Sequence, residues 1–118
     1  MYQERFYRYY MSSQGLVRFN VMEFESDLEI FARCNLESRA RGLLKKYRSD
    51  IQKYIKDHPE FLTSLVPLKA QDDAPDIVKH MCLAAEAVGV GPMAAVAGAI
   101  SQYVGRDLGI YTDEIIIE

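Results

Sequence analysis

The residues best suited to hold a ligand are Gly89, Val90, Gly91, Pro92, Met93, Ala94 and Ala95, a glycine–proline turn leading into a helix. Two glycines leave the backbone uncrowded, and the first turn of a helix offers N–H groups without intrahelical acceptors. The chemistry such a turn supports is binding of a phosphate or carboxylate. Gly89-x-Gly91-x-x-Ala94 also has the spacing of a dinucleotide fingerprint. A true fingerprint follows a strand, however, whereas Ile77–Val88 ahead of this turn reads as a helix. Tight packing between helices explains the same small residues, and both readings stand.

Other chemistry-bearing residues are more scattered. His58 falls at a helix C-terminus, where the dipole favours a cap, and His80 sits beside an apolar stripe as a packing residue. Two isolated histidines make neither a catalytic set nor a metal site, and the expected metal complement is none. Asp72, Asp73 and Asp76 match no calcium loop and read as a solvated linker with helix-start acids. Cys34 and Cys82 are too few and too far apart for a disulfide scaffold or zinc site, and both are expected as buried free thiols. Phe6, Tyr7, Tyr9 and Tyr10 beside Arg5 and Arg8 resemble a base-stacking platform, but strands covered on both faces have the same composition.

The elements that must position these residues begin with strands. Arg5–Met11 is aromatic-rich and 12–15 is a polar turn; Leu16–Glu25 then alternates, with Val17, Phe19 and Val21 on one face. Met22 and Phe24 change the phase, which predicts a bulge near Met22 or burial of both faces. Ser26-Asp27 reads as the next turn, and Leu28, Ile30 and Ala32 mark a third strand of an antiparallel meander. Asn35 is suited to cap a long helix reaching about His58, with Leu36, Ala40, Leu43, Leu44, Tyr47, Ile51, Tyr54 and Ile55 on its apolar stripe. Its remaining surface is rich in arginine and lysine, the ordinary composition of a solvated face.

Pro59 stops that helix, and Phe61–Leu65 reads as a short helical turn. After a polar connector, Pro75-Asp76 opens a second helix whose stripe is Ile77, Met81, Ala84, Ala85 and Val88, with Gly89 as its left-handed stop. A third helix, Met93–Leu108, carries an apolar stripe of Met93, Val96, Ala97, Ile100 and Val104. Beside it runs a small-residue stripe of Ala94, Gly98, Ser101 and Gly105. Two internal glycines cost about 1 kcal/mol each relative to alanine, so close approach by a backbone or a flat ligand is the expected reason for them. Three adjacent isoleucines, Ile115–Ile117, predict a final strand buried on both faces. The fold class is α+β, with an N-terminal antiparallel strand meander, a long helix, two further helices and a C-terminal strand.

Bulk properties narrow the function classes. A chain of 118 residues, 49% hydrophobic and 26% charged, fits one domain rather than a disordered chain. A net charge of -3 and a pI near 5.4 argue against nucleic acid as a partner. The N-terminus lacks a continuous apolar signal core, and Met93–Ile100 is too short to span a bilayer. The expectation is a soluble cytoplasmic protein with no membrane partner. The isoleucine strand would leave an apolar edge and favour a homodimer through it.

Gly89-Val-Gly-Pro-Met-Ala-Ala-Val-Ala-Gly-Ala-Ile100, followed by Gln102-Tyr-Val-Gly-Arg-Asp107, resembles the signature of an uncharacterised protein family related to ApbE. The segments His58–Leu65 and Asp73–Ile77 look like the same family. ApbE proteins are flavin transferases that move FMN from FAD onto a target protein with magnesium. The resemblance implies an ApbE-like domain over residues 1–118, with FAD, FMN or another nucleotide phosphate held at Gly89–Ala95. It further implies intact relatives roughly twice as long, consistent with an ordinary α+β domain. In them the strand matching Glu114–Glu118 continues into Asn-Gly-Gly-Asp at the presumed ligand site, followed by the magnesium-binding segment. A C-terminally truncated member, a partial ApbE-like domain, is therefore expected. The alternative is a non-enzymatic structural or protein-interaction module in which the small-residue helix only packs.

Overall fold

A computed structural model describes residues 15–23 and 26–118. The element order is β1 (Val17–Glu23), β2 (Ser26–Ala32), α1 (Glu37–Asp57), α2 (Glu60–Thr63), α3 (Asp76–Val88), a 3₁₀ turn (Pro92–Ala95), α4 (Val96–Leu108) and β3 (Ile115–Ile117). The α+β class is as the sequence predicts. The expected strand Arg5–Met11 lies outside the described residues.

The chain divides into two compact units: one comprises residues up to Leu44 with Val104–Glu118, the other Lys45–Tyr103. In the first, an antiparallel sheet runs β1-β2-β3. Val17 pairs with Ala32 and Glu23 with Ser26 in an unbroken register, so there is no bulge at Met22, which is exposed. Ser26-Asp27 belongs to β2 rather than to a turn, because the register carries pairing out to Ser26. Phe19, Val21, Leu28 and Ile30 are buried, whereas Arg18, Asn20, Asp27 and Glu29 interact on the opposite face. β3 joins β2 through Ile30 with Ile117 and Ala32 with Ile115. Its isoleucines are half-buried rather than enclosed on both faces, because they form a short strand at the end of the sheet. Arg33 ties the start of this segment down by ion pairs to Asp113 and Glu114 at 3.0 and 2.9 Å.

α1 starts as its cap residue dictates: Asn35 Oδ1 accepts the Glu37 N–H at 2.9 Å, satisfying one of the helix's orphan donors. Its stripe is also as expected, with Ala40, Leu44, Tyr47 and Ile51 buried and Leu43, Tyr54 and Ile55 half-buried. Proline ends it, and the His58 ring stacks on Tyr54 with centroids 4.3 Å apart. In the second unit, α3 buries Ile77, Val78, Met81, Cys82 and Ala85. That face is rotated from the expected one: Ala84 and Val88 are exposed, and Val78 and Cys82 take their place. The period fits either choice, and the neighbouring core decides between them. His80 meets Tyr103 edge-on, and the Tyr103 hydroxyl donates to the Asp76 carbonyl at 3.2 Å.

The expected third helix opens as the 3₁₀ turn and becomes α-helical at Val96. Its buried residues are Ala99, Ile100, Tyr103, Val104 and Leu108; Met93 and Val96 are half-buried and Ala97 is exposed. Cys34 is exposed, contrary to expectation, in the loop after β2, and Cys82 is buried. Among the described residues no single helix is long and apolar enough to cross a membrane.

Candidate functional site

The Gly89–Ala95 segment is built by two local rules. Gly89 takes the left-handed conformation, φ 77°, that stops α3. Its N–H donates to Glu86 O at 3.2 Å and the Val90 N–H donates to Ala85 O at 3.0 Å. These are the paired bonds of a Schellman cap, which satisfy carbonyls the helix would otherwise leave open. Gly91 is extended, φ -71° and ψ 156°, and buried Pro92 then sets the first position of the 3₁₀ turn. The Ala94 N–H donates to Gly91 O at 3.2 Å, so the turn answers one of its own opening donors.

Gly91 is required by a close backbone approach. A Cβ there would collide with the Ser64 carbonyl and lie 3.3 Å from the Leu65 Cα. Ser64 is held in place by its own bonds: its N–H donates to Glu60 O, its hydroxyl donates to Val66 O, and the same hydroxyl accepts the Val66 N–H. The space on the Cβ side of Gly91 is thus occupied by protein. The open side of the segment is Ala94, which continues along α4 into exposed Ala97 and Gly98. A Cβ at Gly98 would meet nothing within 4 Å. Val88 and Leu65, 73% and 87% exposed, flank the turn in sequence and contact respectively.

The expected small-residue stripe therefore divides into two. Ala94 and Gly98 face solvent, whereas Gly105 lies against β3, where a Cβ would meet Ile117 Cδ1 at 3.2 Å. One part is an open apolar shelf and the other is helix-on-strand packing. His58, His80 and the acids Asp72, Asp73 and Asp76 are not part of this turn, and no metal-holding group of histidine, cysteine or acidic side chains occurs among the described residues.

Two concavities were not anticipated. In the second unit a groove of about 320 Å³ runs between Leu68–Asp72 and α3, with Lys79, Cys82 and Glu86 on its wall. Burial raises the Cys82 thiol above its ordinary 9.0, and the Glu86 carboxylate adds to the rise. In the first unit a groove of about 580 Å³ lies between Ser38–Leu43 and the end of α4, with Tyr111 at its edge. It joins residues more than seventy positions apart, which no local pattern displays. The one sequence signal was Gly42, a glycine inside a helix with no turn to make.

Comparison with known proteins places these features in context. The model of a family described as AbpE bacteria matches residues 8–118. The chain is 47% identical over 78 residues to a UPF0280 protein of Methanococcus aeolicus, covering 66% of this chain and 32% of that protein. It is 44% identical over 70 residues to a UPF0280 protein of Methanocaldococcus jannaschii, covering 59% and 29%. A UPF0280 protein of Methanopyrus kandleri is 45% identical over 69 residues, covering 58% and 29%. These matches span about a third of the length of the curated relatives.

Proposed function

The chain belongs to the AbpE bacteria family, and on that premise we propose that its intact members bind a flavin or another nucleotide phosphate beside the Gly89–Ala95 segment. The observation that carries this reading is the open shelf of Ala94, Ala97 and Gly98, which continues from a helix-opening turn. Small side chains allow a flat ring to approach the helix closely, and the positive end of the helix favours a phosphate nearby. The filled space beside Gly91 restricts contact to the Ala94 side. FAD and FMN are the cofactors the family resemblance suggests for it, and any reaction would be a flavin-related transfer by the intact protein.

The test is thermal stabilisation by FAD, FMN and ADP, with and without magnesium, in this chain and in the full-length M. aeolicus relative. Ligand at about 100 times its Kd stabilises by about 2.7 kcal/mol, a readily measured shift in Tm. In this chain, Ala94→Glu and Gly98→Leu place bulk or negative charge on an exposed face and should abolish the shift while preserving the fold. No shift with any of the three ligands in either protein overturns the reading.

A second reading, an interaction module without a ligand, is favoured by the exposed apolar residues Leu65, Val66 and Val88 around the same turn. It predicts that the two variants leave ligand response unchanged at nil and instead weaken association with a partner protein.

A further inference from the structure

Among the described residues no carboxylate pairs with Arg39, in contrast to four other arginines. Arg18 pairs with Glu29, Arg33 with Asp113 and Glu114, Arg41 with Glu37, and Arg106 with Asp107. Arg39 instead lies with its guanidinium carbon 4.0 Å from the Tyr111 ring centroid, and Nη1 donates to the Tyr111 hydroxyl at 2.8 Å. Stacking and one hydrogen bond fix the guanidinium and leave most of its five donors unspent. The cation is therefore ordered before any counter-ion arrives.

This fixed cation stands on the groove of about 580 Å³ described above. Leu43 and Ile110 supply apolar wall, Ile110 being 78% exposed, and Gly42 leaves the floor open because a Cβ there would meet nothing within 4 Å. Arg106 and Asp107 also border the groove, but they neutralise one another across a 3.0 Å pair. An apolar trough of this size with one preordered, unanswered guanidinium matches a small molecule having an oxyanion head and an apolar body.

We propose that this groove binds a small amphipathic oxyanion, a carboxylate or a phosphate monoester, with Arg39 holding the head and Leu43 and Ile110 the body. The site belongs to the first unit and does not rest on the flavin reading. Amide-resolved NMR titrations of the 118-residue chain test it, using octanoate and phenyl phosphate as probes and acetate and inorganic phosphate as heads without bodies. Octanoate, phenyl phosphate or both should shift the Gly42 and Ile110 amides and bind at least about tenfold more tightly than the corresponding bare head, since the apolar body leaves water. The tighter of the two identifies the head as carboxylate or phosphate.

Arg39→Gln should weaken binding by about tenfold or more through loss of charged hydrogen bonds. Gly42→Leu keeps the charge, stays on an exposed helical position and fills the trough, so binding should vanish in a folded chain. The proposal is overturned if the bare heads bind as tightly as the probes, if the shifts lie elsewhere, or if Gly42→Leu binds like the parent.

Discussion

Gly91 and Gly98 share a residue type and lie within eight positions of each other, yet their surroundings predict opposite responses to the same substitution. Gly91→Ala drives a Cβ into the Ser64 carbonyl, backbone that is itself held by three hydrogen bonds and cannot swing aside. The expected loss is about 1–3 kcal/mol or more. Gly98→Ala enters open space on a helix and should gain about 1 kcal/mol from reduced backbone entropy in the unfolded chain. Urea denaturation of both variants checks the pair; equal effects would refute the assignment of packing to one glycine and an open face to the other. The sequence marks Gly91 by its turn and Gly98 by its cost inside a helix, but the reason for Gly91 lies in Ser64, far away in the chain, and Gly98 has no neighbour that requires it.

Helix ends were legible because their causes are local, whereas the strand register, which carries Ser26-Asp27 into β2, was not. Asn35, Pro59, Gly89 and Pro92 each act within a few residues, and each stands where its backbone chemistry requires. The buried face of α3 was less legible: Ala84 and Val88 fit a helical period as well as Val78 and Cys82 do, and only the packed neighbours distinguish them. Rotation of α3 places Cys82 in the core, 5% exposed, while Cys34 is in an exposed loop. A neutral thiol reagent such as a disulfide dye should therefore modify Cys34 rapidly and Cys82 only at the rate of opening. Because Cys82 titrates above 9.0 when folded, the native state holds its proton more tightly than the unfolded chain. Its contribution to stability is complete below that value and declines as the pH rises through the folded pKa. Denaturation of Cys82→Ser alongside the parent between neutral and alkaline pH measures this slope, which the variant should lack. Fast labelling of both thiols would contradict the buried face.

At the scale of the whole molecule, the candidate site was legible only as a segment. Residues 89–95 could be singled out from glycine and proline chemistry, but the Arg39–Tyr111 groove could not, because it depends on residues brought together by the fold. The matches cover about a third of each relative's length, so activity at the relatives' full length is a question for those longer chains. One feature of the sheet bears on how this chain reaches its structure. β1 and β2 are neighbours in sequence, whereas the Arg33–Asp113 pair beside β3 joins residues 80 positions apart. Closing so long a loop loses chain entropy before any contact rewards it, so β3 should dock after the main folding barrier. Ile116→Val is then expected to speed unfolding and leave the folding rate nearly unchanged, a φ-value near zero by stopped-flow chevron analysis. A strand that arrives last is also the first to leave, and the time the sheet spends without β3 sets how long the β2 edge stands open to other chains.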